Sequence, residues 1–325
     1  MAAHDECLFL LGSPRSGTKL LRDLLDRHPR VAFLRWETEC LPYWAARWPR
    51  WERPDTPGAF GRFATRAATS PYFHYRATEG RLDPVDWRVW RAACRGDFSA
   101  PGVFAGLARL ETGAADGPGL IWGDKSPSYL RHLPRLAAWF PRARFVLIHR
   151  DVRDAAVSAA RAWGKSPLRY AGRWCRDLLA ARRAGRALGA RSVEVAYEDL
   201  IAEPERELRR LCAALGLAFV PDMLTPTGTS ETLGRARGAH GILADNAGGF
   251  RRALDAPTWQ RIEEIAWPAM LDAGYVPERA ARPRPLAGWQ ERLLSLRDAG
   301  RLAAGGGLAG AAFRLRRMQT SGNRW

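Results

Sequence analysis

A short apolar run, Leu8-Phe9-Leu10-Leu11, stops at Gly12-Ser13-Pro14-Arg15-Ser16-Gly17-Thr18-Lys19, and a helical pattern begins at once. A strand–loop–helix unit of this kind aims backbone N–H groups and the positive end of a helix dipole at one point, which suits a phosphate or sulfate. Gly12 and Gly17 permit backbone geometry that other residues resist. Arg15 and Lys19 bring positive charge, and Ser16 and Thr18 bring hydroxyl donors. Taken alone, such a loop is also compatible with an ordinary strand–helix turn. A second cationic element is Arg144-Phe145-Val146-Leu147-Ile148-His149-Arg150, with Ser158 eight residues after Arg150. Arg150 falls beyond the carboxyl end of a buried strand, where open α/β sheets bind ligands. Its guanidinium fork can grip a phosphate at two points. Ser158 lies about two turns into the following helix and adds a hydroxyl if that face meets the ligand. Asp151 reads as the cap of that helix, with Arg153 solvated. Lys125, in Trp122-Gly123-Asp124-Lys125-Ser126-Pro127, can reach the same point as a compact charge. Glu37, in Leu34-Arg35-Trp36-Glu37-Thr38-Glu39, follows a short strand. A carboxylate beside a dense cationic site can accept a proton from a substrate hydroxyl, although locally Glu37 reads first as a helix-start residue.

Two better-known patterns narrowly fail to match. A nucleotide P-loop reads G-x-x-x-x-G-K-[ST], whereas here Thr18 precedes Lys19. His149-Arg150-Asp151 matches the start of the kinase catalytic loop, but that loop needs Asn five residues after the Asp, and position 156 is Ala.

The elements that must position these residues follow from periodicity. Strands are expected at Cys7–Leu11, Val31–Phe33, Leu120–Gly123, Arg144–His149 and Ser192–Ala196. Helical patterns cover Thr18–Arg27, Ser126–Trp139, Asp151–Trp163, Arg169–Ala187, Pro204–Leu215 and Asp255–Ala273. Short apolar strands alternating with longer helices predict an α/β fold with a central, mostly parallel sheet flanked by helices. Segment 41–118 lacks strand signals, is rich in Trp, Pro and Arg, and reads as a mainly helical insertion after the second strand. Segment 220–250 is irregular and glycine-bearing.

The chain has 325 residues and a formal net charge of +17, and only Lys19, Lys125 and Lys165 among its basic residues are lysines. Lysine and arginine do different work, so the two lysines that fall in site motifs stand out. Five cysteines lie scattered with no C-x-x-C spacing, which predicts neither a zinc site nor a disulfide framework and fits a reducing compartment. No stretch approaches a membrane span of about 20 residues, and the first apolar run is too short for a secretory signal. The expected location is cytoplasmic. From Ala281 onward nine Arg face only Glu291 and Asp298, with Trp289, Leu293 and Leu296 on one helical face. Such a basic amphipathic tail suits a membrane surface or an acidic polymer, or simply packs on the domain.

Together these elements resemble the PAPS-dependent sulfotransferases, whose donor is 3′-phosphoadenosine 5′-phosphosulfate. Pro14-Arg15-Ser16-Gly17-Thr18 is similar to that family's 5′-phosphosulfate loop, and Arg150 with Ser158 to its 3′-phosphate motif. The loop's continuation through Asp26-Arg27-His28-Pro29 to Glu37-Thr38 resembles the tyrosylprotein and glycan branch more than the cytosolic phenol and steroid branch. The resemblance spans about residues 5–276. It implies a P-loop-type three-layer fold, with residues 1–280 as the transferase domain, 41–118 as its acceptor side and 281–325 as a basic tail. It implies Glu37 as base, Lys125 and Arg15 beside the transferring group, and Ser16, Gly17, Thr18 and Lys19 on the 5′ side of the donor. Arg150 and Ser158 would hold the 3′-phosphate, Tyr197 would lie near the nucleotide, and Arg251 would match the family's C-terminal nucleotide loop through Gly248-Gly249-Phe250-Arg251-Arg252. The implied reaction is in-line sulfuryl transfer to an acceptor hydroxyl, with no metal. Pro127 stands where the cytosolic branch has its histidine, and Glu39 where the tyrosylprotein enzymes have an arginine, which points away from peptide tyrosine as acceptor.

Two other readings compete: a P-loop kinase, and an arginine-rich binder of nucleic acid or another acidic polymer. The first would favour ATP–Mg²⁺ over a 3′-phosphonucleotide; the second would show steep salt dependence and no nucleotide preference. For the acceptor, Trp36, Trp44, Trp48, Trp51, Trp87 and Trp90 could stack on a sugar, line an apolar slot or serve packing. A glycan, glycolipid or other small-molecule hydroxyl is the expectation.

Overall fold

The computed structural model describes residues 6–304 except 40, 42, 44–46, 79, 81, 115–118 and 227–240. Strands β1 (Cys7–Gly12), β2 (Val31–Phe33), β3 (Ile121–Asp124), β4 (Arg144–His149) and β5 (Ser192–Ala196) form one sheet in the order β2-β3-β1-β4-β5. Every pairing is parallel. Helix α1 (Thr18–Leu25) follows β1, and α2 (Pro57–Ala67), α3 (Pro71–Thr78), α4 (Trp87–Ala93) and α5 (Ala100–Thr112) fill the long connection from β2 to β3. Then come α6 (Leu133–Trp139), α7 (Val152–Trp163), α8 (Pro167–Ala187), α9 (Tyr197–Ala202), α10 (Pro204–Leu215), α11 (Phe250–Ala253), α12 (Ala256–Asp272) and α13 (Gly288–Ala304). Among the described residues no helix is long and apolar enough to cross a membrane.

Strand alternation explains the three layers. Cys7, Phe9 and Leu11 face one side with Trp122, Phe145 and Leu147, against Phe60, Trp90, Phe104, Trp174 and Ile262 from the helical insertion, α8 and α12. Leu8 and Leu10 face the other side with Val146, Ile148 and Val195, against Leu21, Leu24, Leu200 and Leu211 from α1, α9 and α10. A sheet covered on both faces needs apolar residues at successive positions, which is why the strands read as unbroken apolar runs.

The expected strands match to within a residue or so at each end. The expected helix over 126–139 is instead a 3₁₀ stretch, Pro127–His132, followed by α6. Prolines 127 and 134 sit at the start of each piece, where a missing N–H is harmless but would interrupt one continuous α-helix. Trp48, Trp51, Phe63 and Trp90 meet ring to ring. These indoles of the insertion therefore serve packing, while Trp44 lies outside the described residues.

Candidate active site

Parallel strands that all run the same way place the residues after β1, β2, β3 and β4 at one edge of the sheet. The loop after β1 is shaped by close contacts. A Cβ on Gly12 would come within 2.6 Å of the Ile148 carbonyl oxygen of β4. Gly17 has φ +86° and lies so close to Tyr197 that a Cβ would sit 2.2 Å from its ring. Arg15 also takes a positive φ, +73°, a conformation a non-glycine residue adopts at a cost. Tyr170 of α8 pins this turn by donating its hydroxyl to the Pro14 carbonyl at 2.6 Å. No side chain caps α1, and its first turn carries no acid, so the positive pole of the helix stays available to an external anion.

Arg150 follows β4 and is 7% exposed. Its guanidinium lies over the Tyr197 ring at 4.4 Å. Nη2 donates to the Asn246 carbonyl at 2.6 Å and Nη1 to the Arg15 carbonyl at 3.4 Å. Nε is buried with no hydrogen-bond partner. Among the described residues no carboxylate stands within ion-pair distance of Arg150. The buried Asp154 carboxylate acts on it only from beyond that distance, and a buried charge so partly compensated favours a further anion. Ser158, on α7, accepts from Arg15 Nε at 3.0 Å, so the two cationic elements legible in the sequence meet directly. Arg15, Gly17, Arg150, Ser158 and Tyr197 therefore form one cluster.

Glu37 and Lys125 form the second half of the edge. Lys125 Nζ donates to Glu37 Oε1 at 2.6 Å. The lysine side chain is 2% exposed and the glutamate 26%, so the pair opens outward through the carboxylate. A buried network holds both bearing segments in place. Leu41 N–H donates to Tyr129 Oη at 3.1 Å, Tyr129 Oη meets Thr38 Oγ1 at 2.6 Å, and Thr38 Oγ1 donates to Asp124. On the other oxygen, Asp124 accepts from Ser126 Oγ at 2.8 Å. Residues 124 and 38 thus flank the Lys125–Glu37 pair and tie the end of β3 to the segment after β2.

Burial pushes the Asp124 carboxyl up to about 7, against the pull of its Thr38 and Ser126 hydrogen bonds. The folded chain then keeps a proton that the unfolded chain releases near pH 4, so this group's stabilisation is full below about pH 4 and is lost as pH rises to about 7. Asp124→Asn removes that dependence. Compared with wild type, the variant should gain a few degrees in Tm between pH 5 and pH 8. Thermal melts at the two values check this, and an unchanged difference contradicts it.

Three residues depart from expectation or were not singled out by sequence. Arg153, read as solvated, is buried at 4% exposure and paired with Asp151 and Glu263, both at 2.6 Å. A helix that packs against α12 turns that arginine inward, where three carboxylates compensate it, the third being Glu278 at 3.2 Å. Asp154 is buried as well; its carboxylate accepts from Gly248 N–H at 2.6 Å and Phe250 N–H at 2.8 Å, tethering the glycine-bearing loop to α7. Asn246 lies in that loop, accepts from Arg150 and donates Nδ2 to Tyr197 Oη at 2.8 Å. No periodicity marks a loop residue of this kind. Arg251 itself is half exposed and pairs with Glu278, and its described contacts do not include the Arg15–Arg150–Ser158 cluster. Lys19 is the second residue of α1, just past Thr18, and is partly exposed.

The family model described as "Sulfotransferase family" matches residues 7–222. The chain is 26% identical over 247 residues to the nodulation protein NoeE of Sinorhizobium fredii, across 69% of this chain and 52% of that protein. It thus spans about half the length of that relative. Among solved structures, the sulfotransferase domain from the curacin biosynthetic pathway superposes with a TM-score of 0.53 at 20% identity, covering 84% of this chain and 99% of that domain. The sulfotransferase domain of the Synechococcus PCC 7002 olefin synthase gives 0.51 at 22% identity, covering 81% and 94%. These two likenesses are likenesses of fold.

Proposed function

The chain belongs to the sulfotransferase family, and on that premise we propose that it moves a sulfuryl group from PAPS to the hydroxyl of a glycan, glycolipid or other small molecule. The observation that carries the choice of donor is Arg150, a buried guanidinium with an unpartnered Nε and no carboxylate at ion-pair distance among the described residues. Arg150 and Ser158 would hold a 3′-phosphate, and the stacked Tyr197 ring would keep the guanidinium facing it. The loop Arg15-Ser16-Gly17-Thr18-Lys19, with the uncapped start of α1, would take the 5′ end. Ser16 Oγ, buried at the same turn beside Tyr170, fits the same use. PAPS supplies an activated sulfuryl group; the protein supplies position and charge. Arg251 is proposed to approach the nucleotide by leaving Glu278, a carboxylate that keeps its contact with Arg153 when Arg251 departs.

Glu37 is the proposed base. Its carboxylate is the exposed end of the pair with Lys125, so an acceptor hydroxyl can reach it. When the acceptor proton moves onto Glu37, the carboxylate loses its charge. The Lys125 ammonium is then freed from its partner just as negative charge grows on the sulfuryl oxygens. A single ion pair thereby couples proton removal to transition-state stabilisation. Trp36, next in sequence to Glu37 and partly buried against Tyr72, is the indole best placed to meet an acceptor. We take residues 1–280 as the transferase unit and 281–325 as a basic tail, in a cytoplasmic setting with which the buried thiols of Cys94, Cys175 and Cys212 are compatible.

Calorimetric titration tests the donor reading. The protein should bind 3′-phosphoadenosine 5′-phosphate at least about tenfold more tightly than ATP–Mg²⁺, a gap of about 1.4 kcal/mol. Tighter binding of ATP–Mg²⁺ would replace it with a kinase reading. A screen of hydroxyl acceptors with labelled PAPS would identify the second substrate.

A further inference from the structure

Helix α13 (Gly288–Ala304) rests on α8 through its two acids. Asp298 is 3% exposed and accepts from the Ser166 N–H at 2.9 Å and from Arg169 Nη1 at 3.0 Å. Glu291 pairs with Arg176. The approach ahead of the helix is close: a Cβ on Gly172 of α8 would lie 3.2 Å from Leu286. Both acids of the segment after Ala281 are therefore engaged on the α8 side, Asp298 buried and Glu291 partly exposed.

The outward face carries the opposite character. Trp289 is 67% exposed, Leu293 42% and Leu296 70%. At 3.6 residues per turn these three fall within about 60° of one another, on the side opposite Glu291 and Asp298. Arg292 and Arg297 flank the ridge on its two sides, and Arg301 lies one turn further along; all three are exposed. An apolar ridge bordered by cations, on a helix whose two acids are engaged by arginines of α8, is complementary to a surface that is apolar within and anionic at its face. In a chain of net charge +17, attraction toward such a surface acts at a distance as well as on contact.

We propose that the α13 ridge docks this protein on anionic lipid bilayers, with Trp289, Leu293 and Leu296 entering the headgroup boundary and Arg292, Arg297 and Arg301 meeting lipid phosphates. A second copy of the chain would need to bury the same arginines against like charge. An acidic polymer would use the arginines but leave the apolar ridge in water.

Co-sedimentation of the full chain with vesicles tests the assignment. The vesicles are phosphatidylcholine alone, or phosphatidylcholine with about 30% phosphatidylserine. The protein should pellet with the anionic vesicles near physiological salt and remain in solution with the neutral ones. Trp289→Ser with Leu293→Ser and Leu296→Ser should weaken binding by at least about tenfold, and so should Arg292→Gln with Arg297→Gln and Arg301→Gln. All six side chains are exposed, so unchanged thermal melts and nucleotide binding should accompany the loss. Failure of the wild-type chain to pellet overturns the proposal. So does a serine variant that pellets like wild type while the glutamine variant does not, which would signify a purely electrostatic surface for acidic polymers. Conversion of a dimer into a monomer by the serine variant, without vesicle binding by either, would assign the ridge to self-association instead. None of these outcomes bears on sulfuryl transfer, which is read separately.

Discussion

Glu37→Gln should lower kcat by about 10²- to 10⁴-fold, the range over which a positioned base contributes, and leave the affinity for 3′-phosphoadenosine 5′-phosphate within about threefold, less than half a decade of binding constant. Glutamine keeps an oxygen that can accept from Lys125 at the place where Oε1 now lies 2.6 Å from Nζ, but it cannot take a proton. The loss should fall on kcat, because the nucleotide cluster of Arg15, Arg150 and Ser158 belongs to different elements. One complication follows from burial: Lys125 is 2% exposed, and removing its counter-charge costs stability. Glu37→Asp separates the effects. It keeps the charge and withdraws the base by one methylene, so Tm should stay near wild type while turnover remains low. Kinetics with an acceptor from the screen, read beside thermal melts, check both. Near-normal turnover of Glu37→Gln would remove Glu37 from the chemistry and leave Lys125–Glu37 as a structural pair.

The sequence shows much of this frame because its physics is local. Unbroken apolar runs as short as Leu8–Leu11 and Phe145–Ile148 read as strands covered on both faces, and residues just past such strands converge at one end of the sheet. That is enough to bring Arg15, Gly17, Lys125, Arg150 and Ser158 to the same side. What was not legible depends on tertiary partners. Arg153 reads as a solvated helix residue until Glu263, 110 positions on, is found beside it. Asn246 and Asp154 matter because a loop with no regular structure is drawn onto α7 by two backbone N–H groups. Nothing in local composition signals that docking. The base is intermediate: Glu37 by itself is one acid among many, and only its pairing with a buried lysine 88 positions away gives it a distinct environment.

Arg150→Ala carries the second large effect, and it must be read as a difference between two ligands. Loss of one partner of a buried charge-assisted contact costs about 2–5 kcal/mol, so affinity for 3′-phosphoadenosine 5′-phosphate should fall by about 30- to 4,000-fold. The same guanidinium also donates to the Arg15 and Asn246 carbonyls and stacks on Tyr197. Its removal could therefore loosen the whole loop and weaken any nucleotide. Adenosine 5′-phosphate, which lacks the 3′-phosphate, separates the cases. If Arg150 grips the 3′-phosphate, wild type prefers the 3′-phosphorylated nucleotide strongly and the variant binds the two nearly alike. If Arg150 only braces the loop, both affinities fall together and the preference survives. Arg150→Lys sharpens the comparison. An ammonium has the charge but not the planar fork that reaches two carbonyls while presenting Nε, so it should recover only a small part of the lost preference. Full recovery by lysine would mean that charge alone, not the geometry set by Tyr197 and Asn246, selects the nucleotide.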